Sequence, residues 1–206
     1  MAAAFVAACS SQVRNGTLEA VPQTVHRSVP HPATADCPKH PGGSGVLPDG
    51  AFSEAAQPPG DEIESKGAIF APSWIVTKGD IDFLDPAYWD MAGLCSIDID
   101  GYYETGGFES TGFATKKGTK YTLTFALSGN GGCPPTVKQL RVQAAGSSTT
   151  FDWNTGGGRD VQNGDHTTAS WTFTAEHAAT EIAFISQDPK ASSCGAVIAG
   201  IVVTKT

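Results

Sequence analysis

Apolar and polar residues alternate along most of the chain that follows Val46. Residues 121–127 are the clearest example, because a tyrosine, two leucines and a phenylalanine occupy every second position and would share one face of a strand. The same period recurs in four further segments: 97–99, 140–144, 151–153 and 171–175. Residues 182–185 and 197–203 are continuously apolar, which is typical of strands covered on both faces.

Turn sequences separate these segments and indicate the architecture. Glycine-rich or asparagine-glycine sequences lie between the apolar segments at four places: 117–118, 129–132, 156–158 and 163–165. Glycine and asparagine adopt the backbone conformations that tight turns require. No convincing amphipathic helix is found. About eight to ten short strands at this spacing predict an all-β sandwich or barrel.

The first nine residues have the character of a secretion signal. They are apolar and uncharged, and Val6-Ala7-Ala8-Cys9 resembles a lipobox, the bacterial sequence in which the cysteine is lipidated after cleavage. We therefore expect residues 1–9 to be a signal remnant and Cys9 a lipidation site. The alternative is a disordered or cloning-derived start, because a basic region is missing and the apolar stretch is short.

Residues 10–45 show no periodicity and contain many prolines, which remove backbone donors and disfavour central strands. We predict an irregular Pro/Gly-rich linker or arm over this range. The domain proper is expected at 46–206. An arm of this kind would be able to dock on a neighbouring copy by adding a strand to an exposed sheet edge.

Charge excludes one class of partner. The net charge is −8, and residues 46–206 alone carry −9. An acidic domain repels phosphate backbones, so nucleic-acid binding is not expected. No apolar run approaches the roughly 18 residues that cross a bilayer, so membrane contact is expected only through the lipid anchor.

Five segments occur in an order typical of one known family. They are 49–54 (DGAFSE), 74–83 (WIVTKGDIDF), 96–101 (SIDIDG), 113–125 (FATKKGTKYTLTF) and 194–203 (CGAVIAGIVV). In this order they resemble the plant cell-wall family of unknown function with galactose-binding-like domains, together with its bacterial choice-of-anchor C relatives. The resemblance covers residues 46–206.

The resemblance implies a jelly-roll β-sandwich of the galactose-binding-like type, in a surface or cell-wall protein that contacts polysaccharide. Two positions depart from the family pattern. Asp49 stands where the family has asparagine, and Ala199 replaces the aspartate of the closing segment. Any ligand or ion that this aspartate supports in relatives is therefore in doubt here.

The cysteines fit an exported protein, in which disulfides persist. If lipid consumes Cys9, four cysteines remain and permit three pairings. The family has cysteines in places similar to Cys133 and Cys194, and a bridge between them would tie a glycine-rich loop to the last strand. A Cys37–Cys95 bridge would then pin the linker onto the domain. Free buried thiols are the alternative.

The acidic segment that starts at Asp80 is a candidate metal site. Asp80, Asp82 and Asp85 supply the hard oxygen ligands that Ca²⁺ takes in sets of roughly six to eight. Galactose-binding-like sandwiches often carry structural calcium, so the resemblance makes Ca²⁺ the expected ion. The alternative is a solvated acidic edge that keeps strands from pairing.

Exposed aromatic residues are the candidates for ligand binding, because ring faces pack on the apolar C–H patches of sugars. We expect Trp89, Tyr88 and Asp90 to form a platform, with Tyr102 and Tyr103 as further contacts. A place in the core is the alternative for Trp89. In a strand, one of two adjacent tyrosines would face outward.

These features favour a non-catalytic carbohydrate-binding or cell-wall-associated module, located outside the cell or on its surface. No nucleophile-elbow or dinucleotide-binding motif is present, so an enzyme is not expected. The alternative function is a structural or adhesive subunit of a surface layer or fibre, self-associating through the N-terminal arm. The sequence does not decide between these two functions.

Overall fold

The structure is a computed structural model that describes residues 11–14, 17–20, 37, 45–55, 62–84, 86, 89–156, 165–189 and 193–206. The chain divides into two compact units, Met1–Pro32 and Ala33–Thr206. In the first unit, β1 (Ser11–Arg14) and β2 (Thr17–Ala20) pair as an antiparallel hairpin. This hairpin differs from the irregular arm that we predicted; its strands precede Pro22, the first proline of the chain, so each residue keeps its backbone donor.

The second unit is built from fourteen strands in the described part of the chain. They are β3 (Glu62–Ser65), β4 (Ile69–Ala71), β5 (Trp74–Lys78), β6 (Asp80–Leu84), β7 (Ser96–Asp98), β8 (Gly107–Ser110), β9 (Phe113–Ala114), β10 (Lys120–Gly129), β11 (Val137–Ala144), β12 (Ser147–Asn154), β13 (Thr167–Thr174), β14 (Ala179–Thr180), β15 (Ile182–Ser186) and β16 (Ala196–Lys205). No described helix is long and apolar enough to cross a membrane.

Twelve of these strands form two six-stranded antiparallel sheets. Sheet I has the order β13-β10-β16-β7-β6-β3, and sheet II has the order β12-β11-β15-β8-β5-β4. Strands β9 and β14 form a separate pair. Because many neighbours in each sheet are distant in sequence, the chain crosses repeatedly between the two sheets, as in a jelly roll. The predicted all-β jelly-roll sandwich is confirmed.

The core lies between the two sheets and follows the predicted alternation. On β10, Tyr121, Leu123, Phe125 and Leu127 are all buried, while the residues between them are half-buried. Aromatic side chains fill the centre, where the rings of Trp74, Phe108, Phe184 and Phe52 lie 5.1–6.4 Å apart between neighbours. Sheet-on-sheet packing of this kind accounts for most of the apolar burial.

The outer faces of the two sheets differ. The connection between β6 and β7 folds over part of sheet I and forms a second apolar cluster: Leu84, Trp89, Met91, Leu94, Val197 and Ala199. Strand β16 is therefore covered on both faces, as predicted. For β15 that prediction is wrong, because Ala183 and Ile185 point to the outer face of sheet II and are only half-buried.

Both disulfides that we expected from the sequence are confirmed. Cys37 bonds Cys95 and Cys133 bonds Cys194, with Cα–Cα distances of 5.4 and 5.7 Å. The second bridge spans a sequence separation of 61 residues. A loop of this length contributes about 4 kcal/mol in the chain-entropy model.

Candidate functional site

The loop that connects β7 to β8, residues 99–106, displays two tyrosines, and we call it the tyrosine loop. Tyr102 is 69% exposed and Tyr103 is 72% exposed, and Glu104 beside them is also exposed. The two rings pack edge to face, with centroids 5.0 Å apart and planes at 83°. Strand alternation would expose one of the two rings. Both are exposed because the residues form a loop tip and not a strand.

A buried carboxylate anchors this loop. Asp80 is only 3% exposed, and its oxygens accept hydrogen bonds from the backbone N–H of Tyr103 (2.9 Å) and Glu104 (2.6 Å). The Asp80 carbonyl also accepts from the N–H of Gly101 at 3.0 Å. Hydrogen bonds that backbone N–H groups donate to a carboxylate are among the stronger hydrogen bonds in proteins. They hold the tip in one conformation.

The space under the loop requires glycine. A Cβ on Gly106 would lie 2.2 Å from the Asp80 carbonyl oxygen, and one on Gly101 would lie 2.8 Å from the Asp80 carboxylate. On the far side, the Lys78 ammonium donates to Thr105 Oγ1 and to the Ser186 carbonyl, both at 3.2 Å. The tyrosine loop is therefore built to a single close-packed shape.

The other predicted ligand residues lie elsewhere. Trp89 is 3% exposed and packs in the second apolar cluster, so the structure favours the core alternative that we left open for it. Asp90 is exposed, but its carboxylate accepts the Gly93 N–H at 2.7 Å in a local turn. Tyr88 lies outside the described residues.

The predicted platform and the tyrosine loop do not form one site. The Trp89 segment follows Leu84 at the end of β6, whereas the tyrosine loop binds Asp80 at its beginning. At about 3.3 Å per residue, the two ends of β6 are roughly 13 Å apart. Among the described residues of this region, only Tyr102 and Tyr103 offer exposed rings.

The three predicted calcium ligands do not come together in the described part of the chain. Asp80 is occupied by the tyrosine loop, Asp82 lies opposite Asp98 across the β6–β7 ladder, and Asp85 lies outside the described residues. In the part of the chain that the structure describes, no group of three or more His, Cys, Asp or Glu side chains is placed to hold a metal ion. Because Asp85 is outside that part, the calcium site stays a prediction.

A group of buried polar residues, which the sequence analysis missed, lies beside the Cys133–Cys194 bridge. Asp98 is 1% exposed and accepts three hydrogen bonds, from the N–H groups of Asp100 (3.1 Å) and Gly195 (2.8 Å) and from Asn130 Nδ2 (2.8 Å). Burial raises the pKa of Asp98 to about 7, further supported by the charge of Asp100 and opposed by these hydrogen bonds.

Lys138 completes this group. Its side chain is fully buried on the inward face of β11, and its ammonium donates to the carbonyl oxygens of Cys133 and Cys194. Burial lowers the pKa of Lys138, against the opposing charges of Asp188, Asp98 and Asp100. We call Asp98, Asp100, Lys138 and Asp188 the buried charge cluster. Its donors and acceptors point inward, so it serves the fold.

The outer face of sheet II carries a cleft of about 400 Å³. One lip is the turn between β11 and β12, where Ala145 and Gly146 have positive φ values of 47° and 71°. Two consecutive left-handed residues make the tight hairpin turn that suits the twist of paired strands. The shape of this lip is therefore set by the hairpin.

The other lip is the segment 177–181. The pairing of β14 with β9 holds it, and Thr115 Oγ1 lies 3.0 Å from the His177 carbonyl oxygen, to which it donates, and 2.9 Å from Thr180 Oγ1. Both lips are thus fixed by hydrogen bonds within the fold. We call the space between them the face cleft.

Two glutamates lie together in the face cleft. Glu109 points outward from β8. Glu181 is the residue directly before β15, the strand that lies next to β8 in sheet II. Burial raises the pKa of Glu109, as do the hydrogen bond and the like charge of Glu181.

The floor of the face cleft belongs to a row of residues that crosses five strands. Cross-strand pairs place these residues side by side: Ile75, Glu109, Ala183, Gln143 and Ser148. In the next row, Gly107 pairs with Ile185, which pairs with Arg141. Small residues in the centre of a sheet face flanked by larger polar ones leave a shallow trough.

Sequence reasoning missed this face because its residues are far apart in the chain. The available signal was Glu109, a charged residue on the outward side of a strand whose neighbours Phe108 and Ser110 are buried. No local pattern places Glu109 beside Glu181 or Gln143, since only the sheet order does so.

Residues 45–204 match the family model described as "Protein of unknown function (DUF642)". The chain belongs to this family. Comparison with the curated proteins gives no match.

Solved structures similar to this DUF642 chain include sugar-binding domains. One is a family 35 carbohydrate-binding module from Clostridium thermocellum, with 13% identity over 70% of this chain and 99% of that one, at a TM-score of 0.46. Another is the EclA C-terminal domain, a sugar-binding protein, with 16% identity over 53% and 75% and a TM-score of 0.41. Likeness at this distance says nothing about the ligand of the DUF642 chain.

Proposed function

We propose that this chain is a non-catalytic carbohydrate-binding module of an exported, surface-associated protein, and that it contacts polysaccharide through Tyr102 and Tyr103. The observation that carries the proposal is the display of both rings, 69% and 72% exposed, on a loop that Asp80 fixes from below. A preorganised contact loses little conformational entropy when its ligand binds. Rigid exposed tyrosines have this property and are common in binding hot spots.

The chemistry of the loop tip suits a sugar. Each ring offers an apolar face to the C–H patches of a pyranose, and each phenol hydroxyl donates to or accepts from a sugar hydroxyl. The exposed carboxylate of Glu104 lies next to them as a further acceptor. The tip therefore combines stacking surface with hydrogen-bonding groups within three consecutive residues.

The angle between the rings narrows the form of the ligand. At 83° the two planes are nearly perpendicular, so both rings cannot lie flat on one plane. A flat crystalline polysaccharide surface would meet one ring at most. A single glycan chain fits better, because one ring can stack on a sugar while the other contacts its edge.

The placement of the described carboxylates supports a non-catalytic role. Asp98 and Asp100 are buried away from substrate. Glu109 and Glu181 share a hydrogen bond, whereas the two carboxylates of a glycosidase flank the scissile bond at a separation of about 5–10 Å. Neither pair has the arrangement that this chemistry requires.

The exported, surface-associated part of the proposal rests on the cysteines. Two disulfides in one domain are typical of oxidising compartments outside the cytosol. Lipidation at Cys9 would add an anchor, and Cys9 lies outside the described residues. The alternative of a structural subunit depends on the N-terminal arm, most of which also lies outside them.

The test is glycan binding by the full disulfide-bonded chain and by the double variant Tyr102→Ala/Tyr103→Ala. We expect the wild-type chain to bind at least one polysaccharide on an array. The double variant should lose at least tenfold in affinity for a short oligosaccharide that occupies the loop, because both ring contacts are removed. Isothermal titration calorimetry measures the affinity.

Ile69→Ala is the matched control, since Ile69 is 66% exposed and its replacement removes apolar surface elsewhere. This variant should bind like the wild type. Both variants should unfold at the wild-type temperature. If the wild-type chain binds no glycan and assembles into large oligomers, the structural function replaces the proposed one.

A further inference from the structure

We infer that the face cleft is a second glycan-binding site, separate from the tyrosine loop, and that Glu109 and Glu181 make it select neutral sugars over uronic acids. The ligand class rests on the proposed function. The existence of the cleft, its fixed lips and its charges are independent of the tyrosine loop.

The dimensions of the face cleft suit part of a glycan chain. Its volume of about 400 Å³ lies within the range of small-molecule sites, which is roughly 300–1,000 Å³. Ala183 lies at the floor of the cleft and leaves it open where a larger side chain would fill it. Both lips are held by the fold, so little reorganisation is needed on binding.

The carboxyl groups of the cleft match the hydroxyls of a neutral sugar. Glu109 and Glu181 present acceptor oxygens, and sugar hydroxyls are donors that can replace the hydrogen bond between the two acids. Gln143 and Ser147, which also line the cleft, both donate and accept.

The same carboxyl groups oppose an acidic sugar. A uronate in the cleft would face Glu109 and Glu181. Glu176 lies outside the lining, with its carboxylate 3.1 Å from where a Cβ on Gly146 would be. His177 also lines the cleft, and Arg141 lies outside the lining. Burial and the neighbouring Glu181 already raise the pKa of Glu109, so the site resists one more negative charge.

The two sites are close along the chain: Tyr103 lies in the loop between β7 and β8, and Glu109 lies on β8 itself. Glu109 lies six positions after Tyr103, and a fully extended chain spans at most about 20 Å over six steps. The distance is short enough for one polysaccharide to occupy both sites. Binding to the second site would then be intramolecular and would raise the avidity for long chains over short ones.

The experiment titrates the full disulfide-bonded chain with a neutral β-glucan oligosaccharide, a neutral galactan oligosaccharide and an oligogalacturonate, at low salt. Four variants are compared: Tyr102→Ala/Tyr103→Ala, Glu109→Gln/Glu181→Gln, Ala183→Phe and the charge control Glu54→Gln. Ala183→Phe fills the floor of the cleft without changing its charge. Glu54 is exposed and outside the cleft lining.

We expect two sites per chain for one of the neutral oligosaccharides, with one remaining in the tyrosine variant. Ala183→Phe should remove the other site with at least a tenfold loss of its affinity. Oligogalacturonate should bind the cleft at least tenfold more weakly than the neutral sugar. Glu109→Gln/Glu181→Gln should reduce that difference, and Glu54→Gln should leave both values unchanged.

The outcomes separate the two proposals. One site per chain that disappears in the tyrosine variant overturns the second site and leaves the proposed function in place. Oligogalacturonate binding in the cleft as tightly as the neutral sugar overturns the selectivity. A wild-type chain that binds no glycan at all overturns both proposals.

Discussion

The molecule holds two groups of neighbouring carboxylates in opposite circumstances. In the buried charge cluster, Asp98 is 1% exposed and its oxygens are engaged by three donors that belong to the fold. In the face cleft, Glu109 and Glu181 meet mainly each other, at the half-buried outer surface of sheet II. In both places burial raises a carboxyl pKa.

A raised pKa alone therefore does not distinguish a binding site from a structural feature. The distinguishing property is what completes the hydrogen bonds. The Asp98 oxygens are occupied by groups that cannot leave without unfolding the domain, whereas the bond between Glu109 and Glu181 can be exchanged for a ligand. Changes to the first group should cost stability, and changes to the second should affect binding.

The largest effect is expected when the cation of the buried cluster is removed. Lys138→Met keeps the side-chain length but leaves the Cys133 and Cys194 carbonyl oxygens without their donor and removes the positive charge near Asp188 and Asp98. Two buried acceptors that lose their donor cost about 1–3 kcal/mol each, or roughly 2–6 kcal/mol together. Urea unfolding at pH 7 should show a loss of this size in the free energy of unfolding.

Lys120→Met is the control for that measurement, because Lys120 lies on β10 and is exposed. A substitution of this kind should change stability by no more than about 0.5 kcal/mol. Equal effects of the two substitutions would mean that the Lys138 ammonium is not part of the folding free energy, and the contrast between the two carboxylate groups would fail.

The second effect is a pH dependence carried by Asp98. Its pKa is about 7 in the folded state against the ordinary 3.8, so the folded state holds the proton more tightly than the unfolded state. The resulting stabilisation is complete below about pH 4 and is lost as pH rises through 7. About three pKa units correspond to a decline of up to roughly 4 kcal/mol.

Asp98→Asn removes this titration but leaves Asp100, Asp188 and Lys138 in place. We therefore compare the free energies of unfolding of the two proteins by urea denaturation at pH 4, 5.5, 7 and 8. The wild type should decline more steeply than the variant over this range. Parallel curves would show that Asp98 keeps the same protonation state throughout.

The fold was predictable because its signals are local. Alternation along residues such as those of β10, and turn sequences between them, depend only on near neighbours. The Cys133–Cys194 bridge followed from the family resemblance, and Cys37–Cys95 was the pair then left among the four cysteines. One failure concerns sheet order, which leaves the outer face beside Ala183 open. The other concerns Lys138, which shares the inward side of β11 with Leu140 and is buried although it is charged.

The candidate site was predictable only in part for the same reason. Tyr102 and Tyr103 were found because an adjacent aromatic pair in a Gly- and Asp-rich sequence is visible in one line of residues. Trp89 has similar surroundings in the sequence, yet the fold buries it against Val197 and Ala199. Glu109 and Glu181 are 72 positions apart and meet only because β8 and β15 are neighbours in sheet II.

The smallest effect is the one that separates the two carboxylate groups most sharply. Glu109→Gln removes the like charge beside Glu181 and keeps a side chain that can still donate to it. Because the folded-state pKa of Glu109 is raised, its contribution to stability is lost as pH rises through that pKa, and the variant escapes this loss. At pH 8 the variant should be more stable than the wild type by about 0.5 kcal/mol, a small value because the pair is half-exposed and screened. Urea unfolding at pH 5 and pH 8 measures this difference.

A destabilisation above about 1 kcal/mol at pH 8 would instead make the pair a structural interaction, like the hydrogen bonds of Asp98. It would remove the reason to regard the face cleft as a site.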